Sequence, residues 1–143
     1  MNFDRRVAAK VFKSFLTCSS RIMRARGGEI RSFDGDRVMG IFLGPLMHNS
    51  AARCALNINY AFTQIIKPRF EERYAIFREN YELAHCVGVD TSEVLVVRGG
   101  VVNNNDLYGL AGRQMWRLSL VACVKIPIIH LSHHPSITNW TII

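Results

Sequence analysis

"GGEIRSFDGDRVMGIF", residues 27–42, holds two short apolar runs parted by Asp34, Gly35 and Asp36. The runs "EIRSF" and "RVMGIFLG" read as strands, and Asp34-Gly35 is a pair that fits a two-residue type I′ turn, so a β-hairpin is expected. On its N-terminal side Val7, Val11 and Phe15, with Ala8, Phe12, Leu16, Ile22 and Met23, recur at helical spacing, while Arg5, Arg6, Lys13, Arg21 and Arg24 fall mostly elsewhere. That pattern predicts an amphipathic helix from about Asp4 to Arg26, stopped by Gly27-Gly28. On its C-terminal side Asn49 or Ser50 can cap a second helix, whose stripe runs through Ala51, Ala55, Ile58, Phe62 and Ile65 and which Pro68 should end.

Further along, "RFEERYAIFREN" reads as a charged connection, "YELAHCVGVD" as one strand and "SEVLVVRGG" as another. Helix, hairpin, helix, strand, strand predicts an α/β (α+β, ferredoxin-like) fold with a mostly antiparallel sheet and helices on one face.

The 143 residues, 49% of them hydrophobic, suit one domain with a substantial core. A formal charge of +7 would suit a polyanionic partner. All 11 acids and 15 of the 18 bases lie in residues 1–107, however, where the two signs are interleaved. With no aromatic stacking pattern on any strand, nucleic-acid binding is the weaker expectation. Cys18, Cys54, Cys86 and Cys123 form no CxxC pair, which points to buried thiols in a reducing compartment rather than to zinc or disulfides. No apolar run approaches about 18 residues and the N-terminus does not pattern as a secretory signal, so a cytoplasmic protein with no membrane partner is expected.

Together "GGEIRSFDGDRVMGIF", "AARCALNINYA" and "VGVDTSEVLVVRGGVVNNNDL" resemble class III nucleotidyl cyclases, and within them the bacterial pyrimidine cyclases of the Pycsar anti-phage system, over roughly residues 4–107. The resemblance implies an incomplete class III cyclase fold and a homodimer. It further implies a phosphorus-oxygen lyase converting UTP or CTP to a 3′,5′-cyclic nucleotide and pyrophosphate as an infection signal. Such chemistry gathers negative charge on phosphoryl oxygens, which two hard divalent ions, Mn2+ or Mg2+, stabilise from carboxylate ligands.

By the resemblance Asp36 is a metal ligand, Asp34 belongs to the turn, and Phe33, Ser32 and Arg31 lie near the nucleotide. Serine at position 32, where purine cyclases often carry a base-reading lysine, counts against adenine and guanine. The family's other metal aspartate lies upstream of the first helix and has no counterpart here, which implies an inactive remnant. Two alternatives stand beside this reading: a non-catalytic nucleotide-binding or dimerisation module, and an adenylate or guanylate cyclase.

After Leu107 the character changes. Residues 108–143 contain no Asp or Glu, and "VACVKIPIIHLSHHPSITNWTII" has no clear helical or strand period. The family's Val-Trp-Val-Gly-Arg and its asparagine-bearing helix are missing here. A reading frame shifted by one base restores several of these letters, with the codons of Tyr108 to Ala111 allowing Trp-Val-Gly and those of Gln114 to Leu120 allowing Asp or Asn before Val-Ala-Ala-Lys-Leu. The expectation is a partial cyclase domain over 1–107 and an out-of-frame tail over 108–143, in which His130, His133 and His134 are accidental rather than a metal cluster. A sheet left without its normal partner strand should aggregate.

Overall fold

The computed structural model describes the backbone of residues 4–93, 95–99, 106–110, 117–125 and 128–130, and the side chains of residues 4–91. Helix α1 spans Arg5–Ala25, with Asp4 as its N-cap accepting from the Arg6 N–H at 2.8 Å. At the other end the Gly28 N–H bonds the Met23 carbonyl at 2.9 Å and the Gly27 N–H that of Arg24 at 3.0 Å, the paired closure of a Schellman cap. Val11, Phe15, Ser19 and Met23 are the buried face of α1.

Strands β1 (Glu29–Asp34) and β2 (Arg37–Phe42) form the expected antiparallel hairpin. Its loop is one residue later than the sequence suggests. Asp34 is the last residue of β1 and pairs with Arg37, so the two loop residues are Gly35 and Asp36. Gly35 takes φ of +57°, where a side chain would be strained, and glycine at the first loop position lets Asp34 remain in the ladder.

Helix α2 spans Met47–Ala61, with Leu46 at the N-cap, three to four residues ahead of the expected caps, and no side-chain hydrogen bond there. It does not end before Pro68. A π-helical turn, Phe62–Ile66, continues directly into α3, Lys67–Arg73, with Pro68 in its first turn. There the missing N–H and fixed φ of proline are tolerated, because the wider π register has already loosened the preceding bonds. The Thr63 hydroxyl donates to the Asn59 carbonyl at 2.9 Å within that turn. One extra residue also advances the buried stripe, so that Ile66 is buried and Ile65 is exposed, the reverse of the regular-helix expectation.

The charged stretch read as a connection is therefore largely helical, through α3 and the short α4, Ile76–Glu79. "YELAHCVGVD" is not one strand either. It breaks into β3 (Tyr81–Leu83), β4 (Cys86–Val87) and the start of β5 (Asp90–Glu93), while β6 (Leu95–Gly99) pairs with β7 (Asp106–Leu110).

The tail supplies strands that its composition did not suggest: β8 (Arg117–Lys125) and β9 (Ile128–His130). The main sheet runs β1-β2-β8-β4, with β5 also on β8, and β9 pairs with β3. Every pairing described is antiparallel. An open strand edge recruits any apolar segment able to extend, since ladder bonds are made by the backbone. Mixed helices and a small antiparallel sheet agree with the expected fold class.

Between helices and sheet, Val11, Phe15 and Met23 meet Val38 and Phe42 of β2 and Ala51, Cys54 and Ile58 of α2. Phe15 and Phe62 pack edge to face at 5.7 Å. Among the described residues no helix is long and apolar enough to cross a membrane.

Candidate active-site hairpin

Packing on α1 fixes the hairpin. Val38 and Phe42 point into the core, and Gly40 lies where an added Cβ would stand 2.9 Å from the Met23 sulfur. The helix thus lies directly on the strand. Along β1 the register slips between Ile30 and Ser32, which makes Arg31 a bulge residue and re-aims the chain toward the loop.

At the tip the sequence-derived candidates are neighbours. Asp36 sits in the loop, half-exposed, and Asp34 beside it is exposed. The Asp34 carboxylate forms an ion pair with Arg37 across the last rung of the ladder. Its partners are well exposed, so it contributes little, about 0–1 kcal/mol, but it orients Asp34 toward Arg37. Phe33 is opposite Val38, yet 57% of its surface is exposed, so it is a free-standing aromatic beside the loop rather than a core ring. Ser32 is exposed opposite Met39, and Arg31 is half-buried.

Arg37 is the residue that sequence reasoning passed over. Its signal was available, since opposite charges flanking a two-residue loop become cross-strand partners.

A two-ion centre needs several hard ligands converging on one point. Among the described residues no three histidine, cysteine or acidic side chains come together, and Asp34 is engaged by Arg37. Asp36 is one suitable ligand. The described residues alone do not fit a complete two-ion site.

The thiols are not uniformly buried. Cys54 is enclosed and Cys18 half-enclosed, whereas Cys86 is exposed. Burial pushes the Cys54 thiol up to about 11, against a smaller opposing effect of Arg26.

Three curated proteins called uridylate cyclase are similar to the chain. The one from Rhodovulum sp. (strain MB263) is 48% identical over 108 residues, which is 75% of this chain and 45% of that protein. Those from Burkholderia cepacia and Xanthomonas perforans are 44% and 39% identical over 100 residues, in each case 70% of this chain and 42% of the relative. The chain thus spans less than half the length of the curated relatives it matches. No protein-family model matches it.

Proposed function

The chain is a relative of the pyrimidine nucleotide cyclases, and from that premise we propose that it serves the cyclisation of UTP or CTP to a 3′,5′-cyclic nucleotide and pyrophosphate. Identity of 39–48% to three uridylate cyclases over most of the chain is the observation that carries this reading. In it the β1–β2 hairpin is the catalytic edge. Asp36 contributes one carboxylate to a Mn2+ or Mg2+ centre whose further ligands come from outside the described residues. Phe33, exposed next to that carboxylate, offers a flat face to the base, with Ser32 and Arg31 behind it. When bound, the ions would neutralise charge on the triphosphate. The protein works as a cytoplasmic homodimer, and its product is an alarm signal during phage infection.

Residues 108–143 belong to a shifted reading frame in this proposal. The match lengths of 100 to 108 residues, close to the 107 that precede the change in character, support it. Sequencing the gene is the check, and a frame that cannot be restored by one added base would end it.

Purified protein, incubated with Mn2+ and each of the four nucleoside triphosphates, tests the catalytic reading. A cyclic pyrimidine nucleotide whose formation Asp36→Asn lowers by about 100-fold or more, since charge stabilisation by a metal is worth several kcal/mol, would establish turnover by this chain and overturn the expectation of an inactive remnant. That Asp36 is the one hairpin carboxylate not taken up by Arg37 favours a second reading, a nucleotide-binding or dimerisation module without turnover. Thermal stabilisation by UTP with no product would select that one. Cyclic AMP or cyclic GMP as the main product would overturn the pyrimidine assignment.

A further inference from the structure

Between α1 and α3 lies a groove of about 340 Å³ lined by Lys10, Ser14, Arg69, Phe70, Arg73 and Tyr74. Its volume is at the lower end of small-molecule sites, about 300–1,000 Å³. No residue of the β1–β2 hairpin lines it.

Helical spacing sorts the residues of α3. At about 100° per residue, Arg69, Phe70, Arg73 and the following Tyr74 share one face, while Glu71 and Glu72 fall outside it. Glu71 is further engaged by Lys67, at 3.8 Å. Lys10, Arg69 and Arg73 have no ion-pair partner among the described residues. Among the described residues, three cations therefore face one groove with no acid ion-paired to them, and their summed positive potential favours an anion there.

The groove is also lined by two aromatic rings. Phe70 and Tyr74 are nearly parallel, 18° apart with centroids at 6.0 Å, and the buried Phe77 packs edge-on against both, at 6.3 and 6.2 Å. This backing holds the two rings in place before any ligand arrives. The Lys10 ammonium donates to the Tyr74 hydroxyl at 3.3 Å and stands 5.9 Å from the ring centroid. That hydrogen bond, with a smaller contribution from Arg73 and against slight burial, holds the Tyr74 phenol below its usual range.

We propose that this groove is a second, metal-independent nucleotide site, in which Lys10, Arg69 and Arg73 hold the phosphates, Ser14 donates a hydrogen bond, and the Phe70–Tyr74 pair takes the base. Guanidinium forks suit phosphate oxygens, and base–aromatic stacking tolerates any base, so the ligand class is a nucleoside polyphosphate rather than one particular base. The assignment stands on the groove itself and does not depend on the hairpin being catalytic.

Titration calorimetry on the whole protein in excess chelator, with UTP, uridine and inorganic tripolyphosphate as probes, removes any metal-borne contribution from Asp36. UTP should bind more tightly than either fragment. Replacing Arg69→Gln and Arg73→Gln together should weaken UTP at least about tenfold, as loss of two charge-assisted contacts implies. Tyr74→Ala should weaken UTP several-fold and leave tripolyphosphate unchanged, and Asp36→Asn should leave UTP binding in chelator as it was. All these side chains lie at the surface, so circular dichroism should match the parent. No UTP binding in chelator, undiminished binding by the double arginine variant, or loss of binding in Asp36→Asn would each overturn the site. Tripolyphosphate binding as tightly as UTP, with Tyr74→Ala silent, would remove the base from it.

Discussion

Asp34 and Asp36 look alike in sequence, and the backbone separates them. Asp34 ends a strand beside Arg37, whereas Asp36 occupies the loop, without a charged partner among those described. The sequence told that one acid serves the turn and the other is available, but it misplaced the loop by one residue, because Asp-Gly propensity alone does not say which rung the ladder closes on. The exposure of Phe33 was also hidden, since an aromatic flanked by polar residues suits a core and a ligand face equally. At this scale the thiols give a direct check. Under native conditions Cys86 should react quickly with a maleimide, and Cys54, buried with its thiol pushed up to about 11, should react only on unfolding. Mass mapping after a brief pulse distinguishes them, and equal labelling of both would contradict the burial of Cys54.

Helices α1 and α2 and the hairpin were legible because their apolar spacing is unbroken for several turns or flanks a strong turn pair. Legibility failed at the junction of α2 and α3, where Pro68 looks like a stop and the π turn before it leaves no mark in the sequence. It failed again after Tyr81, where Gly88 and short runs allow several ways to divide a strand. Helix α1 and strand β2 are closely joined where Met23 meets Gly40. Gly40→Val forces two β-branched methyls toward the Met23 sulfur and should cost about 1–3 kcal/mol, seen as a lower denaturant midpoint at unchanged slope. Met23→Ala in that background should return part of the loss, since residues in contact do not add independently. Additive effects would mean that helix and strand are not in direct contact there.

For the whole molecule, the least legible feature was β8, because sequence reasoning dwelt on the acid-free tail. Arg117, Leu118, Ser119 and Leu120 alternate polar and apolar, and the apolar run Val121 to Val124 continues the strand-forming composition before Lys125. Global stability should also respond to pH through His85. Its ring lies 4.2 Å from Phe62 and 6.3 Å from Phe15, and burial, helped by Lys67, holds its pKa below the usual histidine value. The unfolded chain therefore binds this proton more readily than the folded one. Stability should be full above the unfolded value of about 6.5 and fall as the pH drops below it, until the folded pKa is reached. Chemical denaturation at pH 7.5 and 5.5 should show a loss that His85→Phe reduces, and an unchanged gap in that variant would assign the effect elsewhere.

Because β8 lies between β2 on one side and β4 and β5 on the other, the main sheet is joined by the strand that leaves the ribosome after all its neighbours. Helix α1 and the hairpin can form while synthesis continues, from contacts close in sequence. The sheet cannot close until residue 125 has emerged, and its pairings then reach all the way from Val38 to Val124. Long-range pairing of this kind is slow relative to local helix formation. For an interval set by the rate of translation, the nascent chain therefore carries an open strand edge, which makes its fate in the cell a matter of timing as well as of final stability.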